Sequence, residues 1–248
     1  MEFSVCIDSV FRGLPVAERL RAVQAAGIGA YEFWSWWDKD LGEMKALNEE
    51  LGLKPVACCT KFVSLVDPSA RDAYVRGLTE SIEAAKALGA PALISQTGDD
   101  TGGDREAQRR SLTDGLKACA PLLEKAGITL LVEPLNLKVD HAGYYLSSSA
   151  EGFAIVDEVG SPNVKLLYDI YHQQITEGDL IRTITGNIER IGHFHAAGHP
   201  GRHELYRGEI HYPAVFEAIR ETGYQGYVGL EYFPKDDPLQ GLLDSIAL

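Results

Sequence analysis

Basic residues are scarce in this chain: 23 lysines and arginines stand against 36 aspartates and glutamates, a formal charge of -13. A partner with an extended phosphate backbone needs a basic stripe to displace its counterions, so nucleic acid is not an expected partner. No run approaches the roughly 18 apolar residues of a membrane span. The start Met1-Glu2-Phe3 has no basic region leading into an apolar signal core. Membrane association is therefore not expected, and a cytoplasmic location is. Cysteine is sparse as well. Cys6, Cys58, Cys59 and Cys119 show no CxxC spacing, which points to small hydrophobes in a reducing compartment rather than a disulfide framework or thiolate metal site. Also missing are GxGxxG, GxxxxGK[ST] and GxSxG, the signals of dinucleotide binding, phosphate cradling and the serine-hydrolase elbow.

What the chain does have is rhythm. Over 248 residues, short apolar runs alternate eight times with longer amphipathic stretches, without a composition break that would mark a linker. That pattern predicts an α/β protein: a single (β/α)8 TIM barrel, one domain over 1–248, of the usual size of about 250 residues. Strands are expected near 3–7, 30–34, 55–59, 92–95, 128–132, 164–168, 190–195 and 227–231. Gly27, Gly89, Gly127 and Gly223 each close a helical pattern, as a capping residue with positive φ would. Pro121 should kink or restart the helical pattern that contains it. The acidic run 98–104 lacks the spaced ligands of a calcium loop and is read as a solvated loop ending in an Asp104 helix cap.

Four runs end in an acid or an imidazole: Leu130-Leu131-Val132-Glu133, Leu166-Leu167-Tyr168-Asp169, Ile191-Gly192-His193-Phe194-His195 and Tyr227-Val228-Gly229-Leu230-Glu231. Strand C-termini of a parallel barrel share one rim, so these four side chains should converge there. Any single acid could be a helix N-cap, but three carboxylates together would repel one another unless a cation neutralised them. Oxygen-rich ligation with one imidazole and no thiolate suits one divalent metal ion. Manganese or magnesium is expected, with cobalt or zinc admissible. As exposed rim residues, the three acids and the imidazole should contribute little to the core.

The blocks Val132-Glu133-Pro134-Leu135-Asn136, Tyr168 to Gln174 with Glu177-Gly178-Asp179, Gly198 to Glu204 with Gly208-Glu209-Ile210, and Tyr227 to Phe233 resemble the hydroxypyruvate isomerase family of xylose isomerase-like TIM barrels. The similarity spans nearly the whole chain. It implies a divalent metal held by Glu133, Asp169, His195 and Glu231, with Glu133 and Glu231 also serving as the acid/base pair, and interconversion of hydroxypyruvate and tartronate semialdehyde. Position 195 departs from that pattern: the family carries Gln there, in His-Ile-Gln, whereas ketose 3-epimerases of the same superfamily use His. A 3-epimerase of the D-tagatose or D-allulose type is thus the alternative. More distant readings are a phosphodiesterase resembling endonuclease IV, which the acidic balance opposes, and a non-catalytic sugar-binding barrel.

Chemistry agrees with proton transfer, because moving a proton between adjacent carbons needs two bases flanking a carbonyl whose developing enediolate is stabilised by a metal. Three further residues are expected to touch a small keto acid or sugar. His172, three after Asp169, is placed to donate to a substrate oxygen; Arg202 offers a planar fork for a carboxylate or paired oxygens; Trp34, with Phe62 and Phe233, offers an apolar wall. His193, two before His195, should lie beneath the metal on the same face. A homo-oligomer is admissible, although no self-complementary stripe demands one.

Overall fold

Eight apolar runs become eight parallel strands in the computed structural model, which describes residues 1–248: β1 (Glu2–Cys6), β2 (Ala30–Phe33), β3 (Lys54–Cys59), β4 (Ala92–Ser95), β5 (Thr129–Val132), β6 (Val164–Asp169), β7 (Ile191–Ala196) and β8 (Tyr227–Leu230). Each pairs with the next, and β1 pairs with β8 from Glu2↔Tyr227 to Val5↔Leu230, so the sheet closes into a barrel with no free edge. Every expected strand is present.

The helices α1 (Ile7–Val10), α2 (Val16–Ala25), α3 (Leu41–Leu51), α4 (Arg71–Leu88), α5 (Arg105–Ala126), α6 (Ser149–Val159), α7 (Ile170–Thr176), α8 (Leu180–Asn187), α9 (Tyr212–Glu221) and α10 (Pro238–Ile246) lie in the connections. None is long and apolar enough to cross a membrane. Asp104 caps α5 by accepting from the Glu106 and Ala107 N–H groups. Instead of restarting at Pro121, α5 runs through it as one helix. Leu116, Cys119 and Leu123 on either side of it are fully buried, so packing keeps the helix continuous across the missing backbone donor.

Side-chain alternation places the site. In β5 and β6, Leu130, Val132, Leu166 and Tyr168 join the large core beneath the helices, while Leu131 and Leu167 belong to a separate apolar group with Ala57, Cys59 and Ile94. Residues two apart share a face. Glu133 therefore stands above Leu131, Asp169 above Leu167, His195 above His193 and Glu231 above Gly229, all on the inner side of the barrel. Gly229 is demanded by crowding there: a Cβ would lie 2.0 Å from Glu32 Oε1 and 2.8 Å from His195 Cδ2.

Candidate active site

The four strand-end residues do converge, and one ligand atom from each of Glu133, Asp169, His195 and Glu231 lies within 4.8 Å of the others. They are not the exposed rim residues expected from sequence: their exposures are only 4, 1, 2 and 6%. The loops after the strands fold over them. Asp169 is both cap and cluster member, since Oδ1 accepts the His172 N–H at 3.1 Å at the start of α7 while Oδ2 faces the cluster.

His195 links the cluster to a residue that sequence reasoning missed. Its Nδ1 lies 3.3 Å from Glu133 Oε1 and 3.4 Å from Glu231 Oε2, and its Nε2 lies 3.0 Å from Glu32 Oε1 at the end of β2. Neither ring nitrogen has an aligned hydrogen-bond partner. Glu32 is itself held by His193 Nε2 at 2.7 Å, so His193 does lie beneath the cluster, as expected.

The electrostatics are lopsided. Burial alone would lower the His195 pKa, but the Glu32 and Glu231 charges outweigh it and hold the imidazole well above its ordinary value. Burial alone would raise Glu32, but His195 and His193 bring it down to about 2. Glu231 is likewise pulled well below the carboxylate range, against burial, by Arg202 and His195. Asp169 moves the other way, because for it burial outweighs Arg202 and His195. Four buried carboxylates thus share Arg202 and His195 as counter-charges. Orphaned imidazole nitrogens beside crowded carboxylate oxygens fit a hard divalent cation, which would relieve the repulsion and give Nδ1 a partner.

His172 is fully buried and its role follows from its neighbours. Asn136 Oδ1 accepts the Val139 and Asp140 N–H groups at 3.0 and 3.2 Å, which turns the Asn136 NH2 toward His172. That amide lies 2.6 Å from His172 Nδ1. Nδ1 is therefore the acceptor and Nε2 carries the proton. Burial and the Arg202 charge lower the imidazole to about 3, so it is a neutral donor, and its Nε2 lies 3.5 Å from Asp169 Oδ2 without an aligned hydrogen bond.

Arg202 and Trp34 both reach Glu231. The Arg202 guanidinium donates to Glu231 Oε2 and lies 3.8 Å from Asp169 Oδ2, stacked near Tyr171 and Phe233. Its backbone takes φ 55°, a left-handed conformation enforced by a loop whose Gly198 and His203 exchange backbone bonds. Glu204, fully buried, pins that loop by accepting the Lys235 and Asp236 N–H groups. Trp34 Nε1 donates to Glu231 Oε1 at 2.6 Å. Trp34, Gln96, Arg202 and Phe233 help to wall a cavity of about 330 Å3 whose floor includes Glu133 and Glu231. Phe62 joins that wall, whereas Trp36 and Trp37 pack on each other with centroids 5.6 Å apart and do not line it.

A family model described as xylose isomerase-like TIM barrel matches residues 20–248. The chain is 31% identical to hydroxypyruvate isomerase of Escherichia coli (strain K12), covering 98% of this chain and 97% of that protein. It is also 31% identical to 2-oxo-tetronate isomerase of Cupriavidus necator, with 97 and 95% covered. Among solved structures, one described as AP endonuclease, family 2, from Brucella melitensis superposes with a TM-score of 0.92 at 31% identity, over 97% of this chain and 96% of that one. An L-ribulose 3-epimerase structure shares the fold at a TM-score of 0.84 and 22% identity, over 100 and 93%.

Proposed function

Because the chain belongs to the xylose isomerase-like TIM barrel family, we propose that it is a divalent-metal-dependent isomerase of a small hydroxylated keto acid, working by proton transfer through an enediolate. The relatives named as isomerases of hydroxypyruvate and 2-oxo-tetronate support this class. The observation that carries it is the convergence of Glu133, Asp169, His195 and Glu231 beneath a cavity able to enclose a small ligand.

A cation bound by those four residues would supply Lewis-acid stabilisation to the carbonyl oxygen as it becomes an enediolate oxygen. Manganese or magnesium suits the oxygen-rich set. The chain's own groups do the rest. One of Glu133 and Glu231 takes the C–H proton beside the carbonyl and the other, entering protonated, gives a proton to the former carbonyl carbon, while the hydroxyl proton of the carbon that becomes the new carbonyl passes to the former carbonyl oxygen; the two glutamates follow β5 and β8. His172 donates a hydrogen bond from its Nε2–H to the developing oxyanion, the group for which the neutral tautomer is set. Arg202 holds a substrate oxygen pair or carboxylate, and Trp34 closes the wall and excludes water.

Glu32 positions His195 in this reading. Its carboxylate beside Nε2 leaves Nδ1 to face the cation, the usual second partner of a ligating imidazole. Glu32→Gln is expected to weaken Mn2+ binding by roughly 10- to 100-fold, as measured by titration calorimetry. Affinity equal to that of the unaltered protein would remove Glu32 from this role.

A second reading, epimerisation at C3 of a ketose, is favoured by one feature, the imidazole at position 195. Solvent deuterium separates the two. With Mn2+ present, the proposed isomerase incorporates label while converting hydroxypyruvate to its aldehyde isomer or 2-oxo-tetronate to its 3-oxo isomer, seen by NMR. Label at C3 of a ketohexose with inversion, and none in either keto acid, would establish the epimerase instead. The phosphodiesterase reading is opposed by the acidic balance of the chain, a formal charge of -13 that offers no basic stripe to a phosphate backbone.

A further inference from the structure

The cavity above the cluster does not end with its first chamber. A second chamber of about 370 Å3 shares Phe62, Gln96, Leu135 and His141 with it and runs on past Ser64 to Asp99. Its walls are the loops after β3, β4 and β5, and long-range bonds tie these together. Leu65 N–H donates to Thr97 O at 2.9 Å, Tyr145 N–H to Gly98 O at 3.0 Å and Asp100 N–H to Gly143 O at 2.7 Å. The Tyr144 hydroxyl accepts the Thr97 N–H at 2.6 Å and donates to Glu133 O at 3.0 Å. The chamber is therefore preformed and fastened to the backbone of Glu133 itself.

We infer that this second chamber is the subsite for a neutral, hydroxylated tail, so that the molecule turned over carries four or more carbons. This rests on the isomerase reading above and names its substrate class. Size is the first reason. A three-carbon keto acid has the bulk of about five waters, roughly 150 Å3 at ~30 Å3 each, and is accommodated by the first chamber alone.

Unsatisfied polar atoms are the second reason. The Gln96 amide turns its NH2 to Glu133 Oε2 at 3.4 Å, which leaves Oε1 buried without a donor, and Ser64 Oγ is buried without any partner. Hydroxyl groups, which both donate and accept, satisfy both atoms. Charge is the third. No lysine or arginine lines the second chamber, and Asp99 stands at its edge, so a phosphate or second carboxylate in the tail is disfavoured. Phe62, 64% exposed, and Leu135 supply apolar surface for the C–H side of a polyol.

The test compares kcat/KM for α-carbon deuterium exchange by the Mn2+-loaded protein on hydroxypyruvate, 2-oxo-tetronate, D-tagatose and D-tagatose 6-phosphate. The better of the two longer uncharged-tail compounds should exceed hydroxypyruvate by at least tenfold, chiefly through KM, and the terminal phosphate should cost D-tagatose at least tenfold. Ser64→Leu, which fills the chamber, should erase most of the chain-length advantage. Hydroxypyruvate matching or exceeding both longer compounds overturns the tail subsite while the isomerase reading stands. Preference for the phosphate overturns its neutral character. Exchange with D-tagatose but with neither keto acid overturns the isomerase reading while the tail subsite stands, and exchange with none of the four overturns both.

Discussion

Glu133→Gln and Glu231→Gln should each lower kcat by roughly a hundredfold or more, the scale of losing a positioned general acid or base. Glutamine keeps the shape of the side chain but neither its charge nor its ability to take a proton. Each substitution therefore removes one shuttle and one anionic ligand together. The effect at Glu231 extends further, because its carboxylate is also where Trp34 Nε1 and Arg202 meet. Both variants should fold, since three of the four buried carboxylates persist beside Arg202 and His195 and glutamine still accepts from its neighbours. Circular dichroism verifies the fold, and steady-state rates at saturating Mn2+ separate lost turnover from lost metal. Near-normal kcat in both variants would take proton transfer away from these residues.

His172→Asn is expected to lower kcat by about a hundredfold, the lower end of what one oxyanion donor contributes, with a smaller change in KM. The reasoning runs back to Asn136. Two backbone N–H groups fix its Oδ1, its NH2 is thereby aimed at His172 Nδ1, and the proton is left on Nε2. Such a donor matters most when the substrate oxygen has become an anion, so the loss belongs in turnover more than in binding. A rise in KM with kcat unchanged would make His172 a binding residue only.

Much of this architecture is legible in the chain because barrel strands are short, apolar and evenly spaced. Glu133, Asp169, His195 and Glu231 announce themselves by ending such runs. What sits around them is less visible. Glu32 lies inside the run Ala30-Tyr31-Glu32-Phe33-Trp34, where the aromatic residues draw attention, yet an acid within an apolar strand was the available signal. The depth of the site has no local signal, because burial of strand ends is decided by the loops above them, such as the one that Glu204 fastens to the segment after β8. Those contacts join residues about 30 apart and carry no local pattern. At Pro121 the helix does not restart for the same reason, as packing by Leu116, Cys119 and Leu123 overrides a local rule. The second chamber arises from bonds between three successive loops, which periodicity does not report.

The central claim is that one divalent cation is caged by three carboxylates and the Nδ1 of a single imidazole. Titration of the protein with Mn2+ under electron paramagnetic resonance, with electron spin-echo modulation read for 14N, examines it directly. The expected result is one site per chain, with modulation from one imidazole nitrogen that His195→Phe abolishes. Mn2+ that stays free in solution, or that binds without 14N modulation in the unaltered protein, would contradict the account.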